Sequence, residues 1–147
     1  MIAIDTNILV NVHRTDAVFH KKADFSFTKL VESGSPWAIA WPCIHEFLAV
    51  VTNSRIYKAP TPINLALKEI EAWFECPNFQ LLGETTHFWP IYKEAIREGK
   101  MTGINIHDAK IYSIYKTHQV AEIWSADTDF LRMKGIKVVN PLLSPLD

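Results

Sequence analysis

The sequence predicts a three-layer α/β/α sandwich with a central, mainly parallel sheet, on three observations. Short apolar runs that suit buried strands alternate along the chain with longer stretches of helical spacing. Prolines stand at the starts and glycines at the ends of several helical stretches, as is usual at helix boundaries. Because parallel strands need crossover connections, strands separated by helices of this length favour a parallel sheet covered on both faces.

The first predicted strand is the apolar run at residues 2–4, which is followed by the polar triplet Asp5, Thr6 and Asn7, interpreted as a turn. Similar runs occur at residues 37–40, 79–82, 123–124 and 136–139. The predicted helices occupy residues 17–33, 42–53, 62–74, 86–98 and 105–117. This order of elements contains no repeat or linker, so we expect residues 1–147 to form a single domain.

The composition is that of an ordinary globular protein. The 147 residues are 48% hydrophobic and 21% charged, enough to bury one sizeable core. The first residues lack the basic start and apolar run of a signal peptide, and no uncharged stretch suits a bilayer span, so we expect a cytoplasmic protein without membrane association. The two cysteines, Cys43 and Cys76, stand in no metal-binding pattern and are predicted to be reduced core thiols.

The formal net charge of −1 excludes the simplest signature of a nucleic-acid binder, which is an overall basic chain. Any contact with RNA phosphates must therefore come from local basic residues, and of these Arg14, Arg55 and Lys58 are selected as candidates. The other basic residues considered are Lys21, Lys22, Arg132, Lys134 and Lys137. Solvated surface side chains show the same pattern, and this is the simpler interpretation of each of these residues.

Two carboxylates follow predicted strands. Asp5 ends the first apolar run, and Asp127 comes soon after the run at residues 123–124. In an open parallel sheet, ligands gather outside the carboxyl ends of the strands, because loops there can carry polar groups that buried strands cannot. Each aspartate could instead cap a helix or close a turn.

Asp108 falls on the apolar side of a predicted helix. At 100° per residue it lies among Ile111, Tyr112 and Tyr115, in the first helical turn. Burial of an unpaired charge is costly, so such a carboxylate normally has a cation, a metal or hydrogen-bond donors beside it. A capping arrangement with Asn105 is the alternative.

Glu46 lies at the margin of the apolar arc of another predicted helix, beside Val50. From this position its carboxylate can reach into a cleft or extend to water. The helix pattern alone leaves both interpretations open.

Four short motifs containing these acids follow one another along the chain. They are residues 4–10 (Ile-Asp-Thr-Asn-Ile-Leu-Val), 45–47 (His-Glu-Phe), 107–109 (His-Asp-Ala) and 125–130 (Ser-Ala-Asp-Thr-Asp-Phe). This ordered set resembles the PIN domain, and in particular the VapC toxins of type II toxin–antitoxin systems, over nearly the whole chain. Ser125 is a mild departure, since many relatives have Thr there.

The resemblance implies a PIN-like fold and a metal-dependent endoribonuclease that cleaves RNA with a metal-activated water. The catalytic residues that it assigns are Asp5, Glu46, Asp108 and Asp127, with the metal held by Asp5, Asp108 and Asp127. We expect Mg²⁺ or Mn²⁺, because these hard ions prefer oxygen ligands and keep several waters.

Three further residues are candidates for supporting roles at this site. Asp129 is a possible fifth acid, a residue that orients a ligand, or a helix cap. Thr6 and Asn7 offer a hydroxyl and an amide beside Asp5, suited to orienting a carboxylate or a metal-bound water.

The resemblance also implies partners: an RNA substrate, a cognate VapB-like antitoxin that covers the acidic cleft or an apolar groove of the early helices, and a second copy in a homodimer. Trp41, Tyr57 and Trp73 are candidates for the groove or the dimer contact, with ordinary core packing as the alternative.

Two other functions compete with the ribonuclease. One is a non-catalytic PIN-like binding module, in which the acids are structural. The other is a haloacid-dehalogenase-like phosphatase, which also carries an aspartate after its first strand. That chemistry requires a second aspartate two residues later, and Asn7 occupies the position here.

Overall fold

The computed structural model describes residues 1–146. This part of the chain contains five strands and six α-helices, with two helices between each pair of successive strands up to the fourth strand. The strands are β1 (Ile2–Ile4), β2 (Trp37–Ala40), β3 (Phe79–Leu82), β4 (Glu122–Trp124) and β5 (Lys137–Val139). The helices are α1 (Thr6–His13), α2 (His20–Glu32), α3 (Trp41–Val51), α4 (Ile63–Glu75), α5 (Phe88–Gly99) and α6 (Ile106–Thr117). Short 3-10 helices occupy Gly103–Asn105, Thr128–Arg132 and Pro141–Leu143.

The strands form one parallel sheet in the order β3-β2-β1-β4-β5, which confirms the predicted parallel sheet. In the register of the sheet, Ile4 of β1 aligns with Ile39 of β2 and Trp124 of β4. The strand order reverses at β1, with β2 and β3 on one side and β4 and β5 on the other. In such sheets a crevice opens at the carboxyl ends of the strands where the order reverses.

Helices pack on both faces of the sheet and give the predicted three-layer α/β/α architecture. Helix α1 contacts α2 and α3, whereas α6 packs against α5 and contacts β2. All four residues of β2 are buried, as expected for an interior parallel strand covered on both faces. The ring of Trp37 meets Phe27 edge-on at 5.1 Å and Phe79 at 4.8 Å between ring centroids.

The prediction of a turn after the first strand is wrong, because helix α1 starts there. Asp5 caps this helix, and its carboxylate accepts a hydrogen bond of 2.8 Å from the backbone N–H of Thr6. Ile8, Leu9 and Val12 then bury one face of the helix. With eight residues, α1 is too short for its apolar spacing to stand out beside the adjoining strand.

The other five helices are present with shifted ends. Helix α5 ends at Gly99, and Lys100 takes the left-handed conformation that follows it, with φ of 49°. Helix α6 is buried beyond the apolar side that contains Ile111 and Tyr115, since Ser113 is also fully buried and donates a hydrogen bond of 2.6 Å to the Ala109 carbonyl. Both cysteines are free, but only Cys43 is a core thiol, whereas Cys76 is partly exposed.

Across residues 1–146, the structure contains no helix with the length and apolar character needed to cross a membrane.

Candidate metal centre

The site lies where the chain leaves β1 and β4, the two central strands at which the strand order reverses. A narrow cleft of about 340 Å³ opens there, and four carboxylates line it. They are Asp5, Glu46, Asp108 and Asp127, contributed by the end of β1, by α3, by α6 and by the loop after β4. The fold thus brings together the four acids that the sequence separates by up to 122 positions.

Asp5 is buried and is held by donors on both carboxylate oxygens. Oδ1 accepts from the Thr6 N–H, while Oδ2 accepts from the Asn7 amide at 2.6 Å and from the Ser125 hydroxyl at 2.7 Å. Burial outweighs these donors and raises the pKa of Asp5 from 3.8 to about 6, with a further contribution from the charges of Glu46 and Asp127. The carboxylate is therefore rigidly placed and poorly solvated.

Ser125 connects Asp5 to the loop that carries Asp127. While its hydroxyl donates to Asp5, its oxygen accepts hydrogen bonds from the Asp127 N–H at 2.9 Å and from the Asn7 amide at 3.1 Å. The Asn7 side-chain oxygen in turn accepts from the Ala126 N–H at 3.0 Å. Ser125 is absent from the predicted site, although the motif at residues 125–130 places a hydroxyl there; its role becomes visible only when its partner across the sheet, Asp5, is known.

Thr6 orients the one exposed acid of the cleft. Its hydroxyl donates a hydrogen bond of 3.0 Å to Glu46 Oε2, from a buried position at the start of α1. Glu46 itself is exposed on α3. The helix pattern allowed its carboxylate either to enter a cleft or to extend to water, and in the structure Glu46 lines the cleft.

Asp108 is half-buried in the first turn of α6 and faces the other acids. Burial, followed by the charges of Asp127, Asp5, Asp129 and Glu46, raises its pKa to about 7. The alternative of a cap is not supported, because within the described residues the Asn105 side chain makes no capping hydrogen bond. A bound cation would offset the repulsion among these carboxylates.

Asp127 and Asp129 share a 3-10 turn. Asp127 Oδ1 accepts from the Asp129 N–H at 2.8 Å, and Asp129 Oδ1 lies 3.6 Å from the Arg132 guanidinium. Asp108, Asp127 and Asp129 each offer a carboxylate oxygen, and these three oxygens lie within 4.8 Å of one another. An all-oxygen donor set at this spacing fits a hard divalent cation. This cluster differs from the predicted metal ligands in one residue, because it contains Asp129 instead of Asp5. Asp5 lines the adjoining narrow cleft together with Asp108 and Asp127.

Buried groups beneath Asp5 fix the end of β1. The Tyr115 hydroxyl donates to the Ile4 carbonyl at 2.8 Å and accepts from the Ala40 N–H at 3.1 Å. The Cys43 thiol lies between this hydroxyl and Asp5, at 3.7 Å and 3.9 Å. Burial raises the pKa of Cys43 above its ordinary value, so this thiol remains protonated.

A wider cleft of about 1010 Å³ shares Glu46, Asp108 and Asp127 with the narrow one. One face of α3 and one face of α6 form much of its wall, and the remainder comes from the loops that follow β3 and β4 and from the Gly103–Asn105 turn. The acidic centre is therefore open to a ligand much larger than an ion.

The three basic residues predicted to contact RNA have different surroundings. Arg55 and Lys58 are exposed in the segment after α3. Arg14 is buried, where its guanidinium donates to the Ala59 carbonyl at 2.9 Å and stacks 4.0 Å from the centre of the Tyr57 ring. This geometry disfavours a direct contact between Arg14 and RNA.

The chain is similar to known proteins over nearly its whole length. The family model described as PIN domain matches residues 2–136. Ribonuclease VapC48 of Mycobacterium tuberculosis is 29% identical over 137 residues, which are 93% of this chain and 94% of that protein.

Solved structures show the same fold. A chain in the crystal structure of FitAcB from Neisseria gonorrhoeae matches with a TM-score of 0.72 and 20% identity, over 98% of this chain and 100% of that one. A chain of a toxin–antitoxin complex from Klebsiella pneumoniae matches with a TM-score of 0.62 and 19% identity, over 96% and 98% of the two chains.

Proposed function

The chain belongs to the PIN domain family, and we propose that it is a metal-dependent endoribonuclease, the toxin of a VapBC-type toxin–antitoxin pair, with residues 1–147 as one domain. The observation that carries the proposal is the meeting of Asp5, Glu46, Asp108 and Asp127 in one cleft at the point where the strand order reverses. Similarity to ribonuclease VapC48 supports RNA as the substrate.

The residues present fit a divalent cation, and we propose Mg²⁺ or Mn²⁺. Asp108, Asp127 and Asp129 offer clustered oxygens, and Asp5 adds a buried carboxylate with a pKa of about 6 at the same centre. Held by these residues, such an ion would supply an activated water as the nucleophile for phosphodiester hydrolysis.

The remaining side chains position the acids. Ser125 and Asn7 hold the Asp5 carboxylate in one orientation, and Thr6 directs Glu46 toward the same cleft. Glu46 is exposed, so it can accept a proton from a water beside the scissile phosphate. Glu46 therefore serves as the base in this proposal, while the buried Asp5 serves as a ligand.

Asn7 separates this proposal from the phosphatase alternative. The phosphatase needs an aspartate at this position, whereas the Asn7 amide donates to Asp5 and its oxygen accepts from the backbone of the β4 loop. Both polar groups of the Asn7 side chain are therefore used to hold Asp5 and the loop after β4 in place.

The proposed partner besides RNA is a cognate VapB-like antitoxin. One of the matching structures is a toxin–antitoxin complex. Exposed apolar side chains stand between α1 and α2, at Val18 and Phe19, which are 92% and 44% exposed, and suit a protein contact. We also propose that the protein forms a homodimer and acts in the cytoplasm.

RNA cleavage by the purified protein tests the function. Cleavage with Mg²⁺ or Mn²⁺ and none with a chelator is expected, and Asp5→Asn or Asp108→Asn should abolish it while the fold is retained. Asp24→Asn, at an exposed position of α2, is the matched control and should remain active.

Three outcomes would contradict the proposal. Full activity of Asp5→Asn or Asp108→Asn would overturn the site assignment. Neither cleavage nor a thermal shift with Mn²⁺ would favour the binding module. Hydrolysis of a small phosphoester without RNA cleavage would favour the phosphatase.

A further inference from the structure

The wide cleft joins the acidic centre to a largely apolar wall. Besides the shared acids, its lining includes Trp41 and Ile104, whose side chains are 53% and 84% exposed. Apolar side chains left this open beside a catalytic cleft are available to contact a ligand.

Trp41 stands on the same helix as Glu46 and close to it. It is the first residue of α3, and at 1.5 Å per residue the two positions are about 7.5 Å apart along the helix axis. His45, one turn after Trp41, lines the same cleft. Trp41 lines this cleft together with the shared acids Glu46, Asp108 and Asp127, so neighbouring parts of one nucleotide can contact both the indole and the acidic centre.

The indole is held by packing on its inner side. The ring of Phe74 meets it edge-on at 6.4 Å between centroids. Gly83 also lies beside the indole, since a Cβ at this position would be 3.4 Å from Trp41 Cδ1, an ordinary van der Waals distance. A large aromatic surface is thus kept in place with little freedom to lose on binding.

The charges of the cleft indicate what contacts this wall. Among the described residues that line it, Lys110 is the one lysine or arginine, and its Nζ is paired with Glu84 at 2.8 Å. The wall is therefore poorly suited to a phosphate. A flat, uncharged nucleobase can stack on an aromatic ring without a cation.

We propose that Trp41, together with Ile104, forms a stacking subsite for a nucleobase next to the scissile phosphate. The inference rests on the proposed function, since the acids fix where the phosphate must lie and the adjoining base then enters the wide cleft. Trp41 thereby determines how unpaired RNA is held, and a protein partner on this wall is the competing occupant.

Binding of two probes tests the subsite. The first is a single-stranded oligoadenylate of about 12 nucleotides, and the second is an abasic ribose-phosphate oligomer of equal length. Both are measured by fluorescence anisotropy with Mn²⁺ in a Glu46→Gln background, so that RNA stays intact while the proposed metal ligands are retained. Cleavage by the unmodified protein is measured separately and tests the proposed function alone.

Trp41→Ala should weaken binding of oligoadenylate by roughly tenfold or more and leave binding of the abasic oligomer unchanged, because stacking is lost and charge is not. Trp41→Phe should retain most of the affinity. Trp89→Ala is the matched control, since Trp89 is 62% exposed on α5 and does not line the cleft. Ile104→Ser tests the same wall without touching α3 and should also weaken oligoadenylate binding.

Unchanged oligoadenylate binding by both Trp41→Ala and Ile104→Ser would overturn the subsite while leaving the ribonuclease intact. An equal loss for the two probes would also overturn it, since the effect would then not depend on a base. Loss of antitoxin association with RNA binding retained would assign the wall to the protein partner. If the unmodified protein neither binds nor cleaves RNA, the proposed function fails and this inference with it.

Discussion

The Ser125 hydroxyl donates a hydrogen bond of 2.7 Å to Asp5 Oδ2, across the boundary between β4 and β1. The same oxygen accepts from the Asp127 N–H at 2.9 Å. One buried hydroxyl therefore fixes two of the four acids relative to each other. A substitution at Ser125 should alter the positions of both Asp5 and Asp127.

Ser125→Ala is predicted to weaken Mn²⁺ binding by about 10-fold to 100-fold, as is usual when a group that orients a metal ligand is removed. It should also lower the free energy of unfolding by about 1–3 kcal/mol, because the Asp127 N–H and Asp5 each lose a partner. Calorimetric titration and urea unfolding measure the two effects. Ser125→Thr keeps the hydroxyl and should behave as the unmodified protein; if it fails equally, the hydroxyl is not the cause.

The metal-free protein should lose stability as the pH rises. The pKa values of Asp5 and Asp108 are raised from 3.8 to about 6 and about 7, so between pH 4 and 7 the folded state binds more protons than the unfolded state. The contribution of these groups to the free energy of unfolding therefore declines over that range and is constant above it.

Unfolding in chelator across this pH range, compared with the same series for Asp108→Asn, isolates the effect. Affinity for Mn²⁺ should rise over the same range, because protons and the cation compete for the carboxylates. A pH dependence that is identical in the two proteins would contradict the raised pKa of Asp108.

Asp108→Asn is predicted to stabilise the metal-free protein at neutral pH while it removes metal binding. Replacement of the carboxylate removes the cost of partly burying its charge and relieves repulsion from the other acids, an effect of roughly 1–2 kcal/mol after allowance for solvent screening of this half-exposed group. Thermal unfolding with and without Mn²⁺ measures both changes. A destabilised variant would show that Asp108 has a structural role instead.

The two cysteines should differ in reactivity. In the folded protein a thiol reagent should modify the partly exposed Cys76 slowly and leave Cys43 untouched, because Cys43 is buried beside Asp5 and its pKa is raised. Mass spectrometry of the native and denatured protein counts the modified thiols. Cys76→Ser should abolish native labelling, and labelling of Cys43 in the native state would contradict the packing described above.

Arg14→Ala should destabilise the fold, whereas Arg55→Ala should not. Loss of the charged hydrogen bond to the Ala59 carbonyl is expected to cost about 1.5–3 kcal/mol, and the stacking on Tyr57 is lost as well. Arg55 is exposed and serves as the matched control. Equal stability of the two variants, with RNA binding lost only in Arg14→Ala, would restore the predicted RNA contact.

The central strands were predictable because a strand buried on both faces is a continuous apolar run. Residues 37–40 show this clearly, and all four are buried in β2. The short helix α1 was not predictable in the same way, since Asp5, Thr6 and Asn7 are equally typical of a turn and of a helix start.

The sequence by itself determined the parallel sheet, the acids that follow β1 and β4, and the inward position of Asp108, since all three depend on local periodicity. Only the tertiary structure decided that Ser125 binds Asp5, that Thr6 directs Glu46, that Arg14 is buried and that Trp41 lies open beside the acids. These relationships join residues distant in the chain. They depend on how the helices cross over the sheet and pack, which no local pattern encodes.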